Sequence, residues 1–367
     1  MKRLLTGLFF AALLLYNGGA AAESARSAIL IEADSGRVLY EKNAHEALPM
    51  ASTTKIMTAL VALENGSLDD VVTASRNAFG VPGTSIYLAE GEQLTLEEML
   101  YGLMLQSGND AAVAIAEHIG GSVEAFCRMM TARAEEIGCE NTLFSTPHGL
   151  PADNHHTTAW DLALIAREAL RNDAFRQIVT TQRASIPWAG HEYDRVLNNK
   201  NKLLSEYPGA LGVKTGYTKA AGRCLVFAAE RDGMRLIGAV MNDPNWFQDA
   251  EEILDGGFEG WRQVTLYSPG EPVRSLPVPG GGSVTVKALG KLAAPVRREN
   301  APELRVELPD ALTAEVSKGD IVGTASLWEN GVQTASIPLY AGGDAGSAFR
   351  RGIGRIFSVW PQTAALP

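Results

Sequence analysis

The sequence is poor in the residues that most metal and disulfide scaffolds need. It has three cysteines in 367 residues, Cys127, Cys139 and Cys224, and no C-x-x-C spacing. An odd number leaves at least one thiol without an intramolecular partner, and all three read as buried thiols in helices and a strand. Histidine is also scarce, at six. His148, His155 and His156 cluster in one segment, but no H-E-x-x-H or similar spacing joins them to a zinc site, and histidines crowded into a turn read as solvated. Basic charge is in deficit: 32 lysines and arginines face 42 acidic residues, a net charge of −10 that argues against nucleic acid as a partner. There is no long internal repeat and no low-complexity segment.

What is present is an ordinary globular mixture, 46 % hydrophobic and 20 % charged, long enough for two or three domains. Lys2 and Arg3 precede an apolar run from Leu4 to Tyr16, and Ala20-Ala21-Ala22 follows it. This is the pattern of a secretory signal peptide, and the run is too short for a typical transmembrane helix. The expected mature chain starts near Glu23 and carries 30 basic against 42 acidic residues, or −12.

Further along, "SAILIEADSGRVLYEKNA" predicts a hairpin around Asp34-Ser35-Gly36. A helical pattern opens at Ser52, runs through Ile56, Leu60 and Leu63, and closes near Gly66. More helices are expected from Leu96 to Gln106, after Gly108-Asn109-Asp110, and from Cys127 to Ile137. Thr158-x-x-Asp161 has the form of a capping box for a helix from Trp160 to Leu170. From Val213 the texture changes, and "CLVFAAERDGMRLIGAVM" predicts two strands around Arg231-Asp232-Gly233. Terminal hairpins around a helical middle suggest one sheet with a helical insertion, assigned to residues 23–262. Residues 263–342 are rich in Val, Gly and Pro and read as a small all-β module. In the segment 343–367, "GSAFRRGIGRIFSVW" places Phe349, Ile353, Ile356, Phe357 and Trp360 on one helical face with Arg351 and Arg355 opposite. That is the pattern of an amphipathic anchor lying in a membrane surface.

Three short stretches carry chemistry. In "PMASTTKIMT", Ser52 and Lys55 lie three apart and share a face at a helix start. A serine hydroxyl needs a base to become a nucleophile, and a buried lysine whose pKa is depressed can serve. S-x-x-K should also occur about once by chance in this length, as a helix N-cap serine and a surface lysine. In "LMLQSGNDAA", Ser107 and Asn109 sit in a break between apolar helices, where a tight turn can present a hydroxyl and an amide, or simply cap the two helices. In "LGVKTGYTKAAGRCL", Lys214 and Gly216 would face one side of a strand and Thr215 the other. A glycine there would let an extended substrate lie along an edge strand, and the lysine and threonine could hold a carboxylate.

The order and context of these stretches, together with "STPHGLP", resemble the penicillin-recognising serine acyl-transferases. More narrowly they resemble the low-molecular-weight D-alanyl-D-alanine carboxypeptidases of peptidase family S11. The resemblance spans the chain. It implies an α/β (α+β) serine β-lactamase/transpeptidase-like domain, a sheet with a helical insertion, followed by a small all-β domain and a C-terminal amphipathic helix. It implies an acyl-enzyme on Ser52, with Lys55 as general base, Ser107 and Asn109 in proton relay and substrate positioning, and Lys214 and Thr215 on the terminal carboxylate. Gly216 and Tyr217 would complete the substrate strand site, with the N–H groups of Ser52 and Tyr217 as the oxyanion hole. The implied partners are a peptidoglycan pentapeptide and β-lactam inhibitors, with no metal or organic cofactor. In one departure, "NDPNWFQDAEE" lacks an arginine that some relatives use for the carboxylate, a role left to Arg223. A β-lactamase would need a deacylating base. Glu168 and Asn172 have a suitable spacing, but Leu162, Ile165 and Ala169 make their segment an amphipathic helix. A non-catalytic wall-binding protein would be expected to have lost Ser52, Lys55 or Lys214.

Overall fold

Six consecutive buried residues, Ser27–Glu32, form strand β1, and β2 (Val38–Lys42) returns beside it. The turn between them forms because the Glu32 carboxylate accepts the N–H groups of Asp34 and Ser35, while Gly36 takes a left-handed φ of 73°. The computed structural model describes residues 24–278, 282–312 and 316–344. The expected signal peptide and most of the expected amphipathic tail lie outside them. Among the described residues no helix is long and apolar enough to cross a membrane.

Ala51–Thr54 make one 3-10 turn that leads directly into α1 (Lys55–Asn65). Every residue of α1 from Lys55 to Ala62 is buried, which a helix tolerates only when neighbours surround it. A short hairpin, β3 (Val71–Thr73) and β4 (Gln93–Thr95), precedes those neighbours: α2 (Leu96–Leu105), α3 (Asn109–Gly120), α4 (Val123–Ile137), α5 (Ala159–Ala169) and α6 (Asp173–Thr180). All five pack on α1. The hairpin β5 (Arg183–Ile186) and β6 (Arg195–Asn198) and the single turn α7 (Leu203–Glu206) follow. The sheet is then completed by β7 (Ala210–Thr218), β8 (Gly222–Arg231) and β9 (Met234–Met241). Its order is β2-β1-β9-β8-β7, which leaves β7 on an edge. The expected sheet with a helical insertion is therefore present. The β8–β9 turn is also the one its sequence specifies, with left-handed φ at both Asp232 (50°) and Gly233 (73°).

Several boundaries differ from expectation. The helix expected from Cys127 begins one turn earlier, because Ser122 accepts the Ala125 N–H as N-cap. The helix expected after Asp110 already includes Asn109. Thr158 caps α5 through the Asp161 N–H, but the reciprocal half of the box is not made. The Asp161 carboxylate instead accepts from Glu140 N, Asn141 N and Thr142 Oγ1, tying the segment after α4 to α5. A full capping box does occur where none was expected, between Thr95 and Glu98 at α2. The segment around Phe247, notable in the sequence for its missing arginine, forms α8 (Trp246–Gly260).

The chain packs as two units. Among the described residues one comprises 24–30, Leu39–Ala228 and Ile237–Gly256, and the other Ile31–Val38, Ala229–Leu236 and those from 257 to 344. In the second, β10 (Trp261–Tyr267) pairs with β13 (Leu292–Arg297). A five-stranded sheet has the order β11 (Pro272–Pro277), β12 (Ser283–Ala288), β16 (Val332–Ala341), β15 (Ile321–Glu329) and β14 (Glu303–Glu307). Alternating inward residues such as Val284, Val286, Leu327 and Leu339 form its core.

Candidate active site

The 3-10 turn that carries Ser52 is held from several sides. Thr53 Oγ1 donates to Met50 O and Thr54 Oγ1 to Ala51 O, so the polar residues of "ASTT" bond back to their own turn. Ala51 has a left-handed φ of 48°, an unfavourable conformation just before the serine that surrounding structure must maintain. Part of that structure is Gly149, also left-handed at φ 88°, where an added Cβ would lie 1.8 Å from Ala51 O.

Lys55 opens α1 and is completely buried. Its Nζ lies 3.1 Å from Ser52 Oγ, 2.7 Å from Asn109 Oδ1 and 2.7 Å from His148 O. Burial drives its pKa well below the ordinary lysine value, and the positive charges of Lys214 and Lys200 add to that, with Asp110 opposing them. A neutral amine has two N–H donors and one lone pair. Two of its three neighbours, the Asn109 amide oxygen and the His148 carbonyl, can only accept, so they take both donors and leave the lone pair facing Ser52.

Ser107 sits on the break between α2 and α3 with a left-handed φ of 62°. Its Oγ accepts from Lys214 Nζ at 3.0 Å, and the same ammonium donates to Thr215 O at 2.8 Å. Lys214 is buried, which lowers its pKa to about 7, with Lys200 contributing. Asn109 is fixed by its Nδ2 bond to Pro82 O at 2.7 Å, so its oxygen is the atom that faces Lys55. Gly216 on β7 is a close-approach position: a Cβ would lie 2.9 Å from Ser52 N and 3.1 Å from Thr53 N. Thr215 is buried, whereas the Tyr217 side chain is exposed. The structure thus gathers Ser52, Lys55 and Asn109 in one hydrogen-bonded set and Ser107, Lys214 and Thr215 in a second. Gly216 packs directly on the serine turn.

Sequence reading passed over two contributors. Lys200 donates to Gln106 O beside Ser107 and depresses both site lysines. Asp110 anchors the neighbouring loop, accepting from Ile86 N, Leu88 N and Ser85 Oγ. No local pattern marks either, because each acts on residues far away in sequence. The expectation of solvated histidines is corrected for two of the three. Burial lowers His148 to about 3 and His155 to about 4. His155 Nδ1 accepts from Ser145 N, which leaves Nε2 protonated to donate to Thr54 Oγ1 at 2.9 Å. The His155 ring is a neutral strut under the serine turn. The His148 ring instead accepts from Leu150 N in its own segment, and His148 meets Lys55 through its carbonyl. Among the described residues no group of His, Cys, Asp or Glu could hold a metal ion.

Glu168, the residue a β-lactamase reading would need, is committed to Arg133 at 2.7 Å and Arg171 at 3.3 Å, and Asn172 is the N-cap of α6. Arg223 donates to Pro244 O and lines an open cavity of about 590 Å³ with Tyr217 and Asn242. All three cysteines are free, and burial raises each thiol, Cys127 and Cys224 to about 11.

Comparison with known proteins agrees with this geometry. Residues 17–245 match the peptidase S11 family, D-alanyl-D-alanine carboxypeptidase, and residues 261–346 match the C-terminal domain of penicillin-binding protein 5. The chain is 34 % identical to the D-alanyl-D-alanine carboxypeptidase DacF of Bacillus subtilis, covering 93 % of this chain and 94 % of that protein. It is 33 % identical to DacC of Escherichia coli, over 86 % of this chain and 82 % of the other. The solved structure of penicillin binding protein 5 from Haemophilus influenzae superposes with a TM-score of 0.77 at 27 % identity, covering 90 % and 100 % of the two chains. The chain belongs to the S11 family of serine D-alanyl-D-alanine carboxypeptidases, which are hydrolases of the penicillin-binding protein fold.

Proposed function

We propose that this enzyme removes the terminal D-alanine from peptidoglycan stem peptides through an acyl-enzyme on Ser52. The observation that carries these roles is the Lys55 amine, 3.1 Å from Ser52 Oγ with two pure acceptors as its other neighbours. Ser52 Oγ attacks the carbonyl carbon of the D-Ala–D-Ala bond while Lys55 takes its proton. The N–H groups of Ser52 and Tyr217 receive the developing oxyanion. As the C–N bond breaks, the leaving amine takes a proton relayed through Ser107, and free D-alanine departs. Water then attacks the ester, with Lys55 again as base, releasing the shortened peptide and restoring Ser52. The substrate lies along the free edge of β7, close to the turn because Gly216 has no side chain. Lys214, Thr215 and Arg223 receive its terminal carboxylate. A β-lactam would enter the same site and acylate Ser52.

The enzyme works outside the cytoplasm. The N-terminal segment 1–22 serves as the export signal, residues 23–262 as the catalytic domain and 263–342 as an accessory β domain. The tail 343–367 holds the enzyme to the outer face of the cytoplasmic membrane. Release of D-alanine from a soluble pentapeptide, measured together with labelling by a fluorescent penicillin, tests the central reading. Both are expected in the wild type and neither in Ser52→Ala, and a penicillin adduct on another residue would overturn the assignment.

A further inference from the structure

Tyr87 is 73 % exposed and adopts a left-handed φ of 61°, a combination that folding alone does not favour for an aromatic residue. It is held there from both sides. Asp110 accepts the N–H groups of Ile86 and Leu88, and Ser85 Oγ accepts the N–H of Tyr87 itself. The same loop reaches Asn109, whose N–H bonds Thr84 O and whose side-chain amide bonds Pro82 O. The loop displaying Tyr87 is therefore continuous with the catalytic constellation.

A second aromatic group is fastened to this loop. Arg195, at the start of β6, is buried and pairs with buried Glu92 at 2.9 Å. Its guanidinium also reaches Tyr87 O and Pro187 O and lies under the Trp188 ring at 5.1 Å. Trp188 in turn meets Tyr193 edge-on, with centroids 5.8 Å apart, and Tyr193 is 63 % exposed. A buried ion pair fixes geometry more reliably than it adds stability. Here it fixes the hairpin tip carrying Trp188 and Tyr193 against the loop carrying Tyr87.

We propose that Tyr87 and Tyr193, the latter backed by Trp188, form a sugar-binding shelf that receives the glycan part of peptidoglycan while the attached peptide enters the site. The inference rests on the functional reading above. The exposed Tyr87 and Tyr193 rings suit the C–H face of a pyranose, and neighbouring polar groups suit its hydroxyls. Half-buried Trp188, packed on Arg195 and on His191 (ring centroids 4.2 Å apart), supports Tyr193. Charge decides between the sugar and a peptide as occupant. Glu192 and Asp194 flank Tyr193 in the chain and are exposed. They would repel the free carboxylates of an acidic peptide but can accept hydrogen bonds from a neutral polyol.

The test uses the full chain and two substrates with the same D-Ala-D-Ala terminus, one a free pentapeptide and the other joined to a disaccharide. Tyr87→Gly removes the ring and suits the backbone, so the fold should be retained, and Tyr193→Ala removes the second ring. The double variant should lose about tenfold in kcat/KM on the disaccharide substrate, mainly through KM. On the free pentapeptide it should change less than twofold, with penicillin acylation unchanged. Equal losses on both substrates, or none on either, would overturn the shelf. Co-sedimentation with peptide-free glycan strands is independent of turnover. Saturable binding by the wild type, lost in the double variant, supports the shelf even if the assigned reaction is wrong. Absence of wild-type binding refutes it.

Discussion

The ammonium of Lys214 stands 3.0 Å from Ser107 Oγ, while the amine of Lys55 stands 3.1 Å from Ser52 Oγ. The two lysine–serine contacts are built from helix start, helix break and edge strand. Burial lowers both amines, with the Lys214 charge among the causes at Lys55 and Lys214 itself brought to about 7, so protonation of one bears on the other.

The role of Lys55 as base predicts the outcome of Lys55→Arg. A guanidinium keeps its charge throughout the usable pH range and has no lone pair for the serine proton. Penicillin acylation should fall by about 10² to 10⁴ in a protein that still folds. Near-normal acylation, measured by stopped-flow or intact-protein mass spectrometry, would mean that Lys55 acts only through its charge.

The pH profile should have two limbs with separate origins. As pH falls, Lys55 becomes protonated and acylation is lost. As pH rises through about 7, Lys214 of the free enzyme loses the charge that attracts a carboxylate, so kcat/KM should decline. In Lys214→Arg the charge does not titrate. The alkaline limb should then move up by roughly two pH units or more, on a lower overall rate. An unmoved alkaline limb would remove Lys214 from that role.

Gly149 gives a prediction about stability. Gly149→Ala meets both an unfavourable φ and a Cβ placed 1.8 Å from Ala51 O. Gly190→Ala has a similar φ of 80° with nothing within 4 Å. The second change should cost about 1–2 kcal/mol from torsion alone. The first should cost about 2 kcal/mol more and also slow acylation, because the displaced carbonyl belongs to the turn bearing Ser52. Urea unfolding of both variants decides it, and equal costs would show that the turn yields freely.

The tail should be dispensable for chemistry. Deleting residues 343–367 should release the protein from membranes and leave turnover of a soluble pentapeptide unchanged. Gly352 and Gly354 disfavour a helix in water, so ordering of the proposed anchor is expected only on vesicles containing anionic lipid. Undiminished membrane association of the truncated protein would count against the anchor.

Much of the site was legible in the sequence because its parts are short and local. S-x-x-K near a helix start, S-x-N at a helix break and K-T-G on a strand are local patterns, and the hairpin turns follow from Asp-Gly and Ser-Gly pairs. The left-handed backbone at Ala51 and Ser107 and the 3-10 turn carrying Ser52 are not written in those patterns. Cys224 was readable as a buried strand residue. Tertiary structure alone decided the chemistry of those groups. The lysines become weak bases only after burial and mutual approach across long stretches of chain. Lys200 and Asp110 join the site only when their elements pack. His155 turns from an apparent surface group into a neutral support, and His148 into the carbonyl acceptor of Lys55, because the segment carrying them folds against the serine turn. Hydrogen-bonding patterns and periodicity are encoded within a few residues, whereas desolvation and charge proximity belong to the assembled fold.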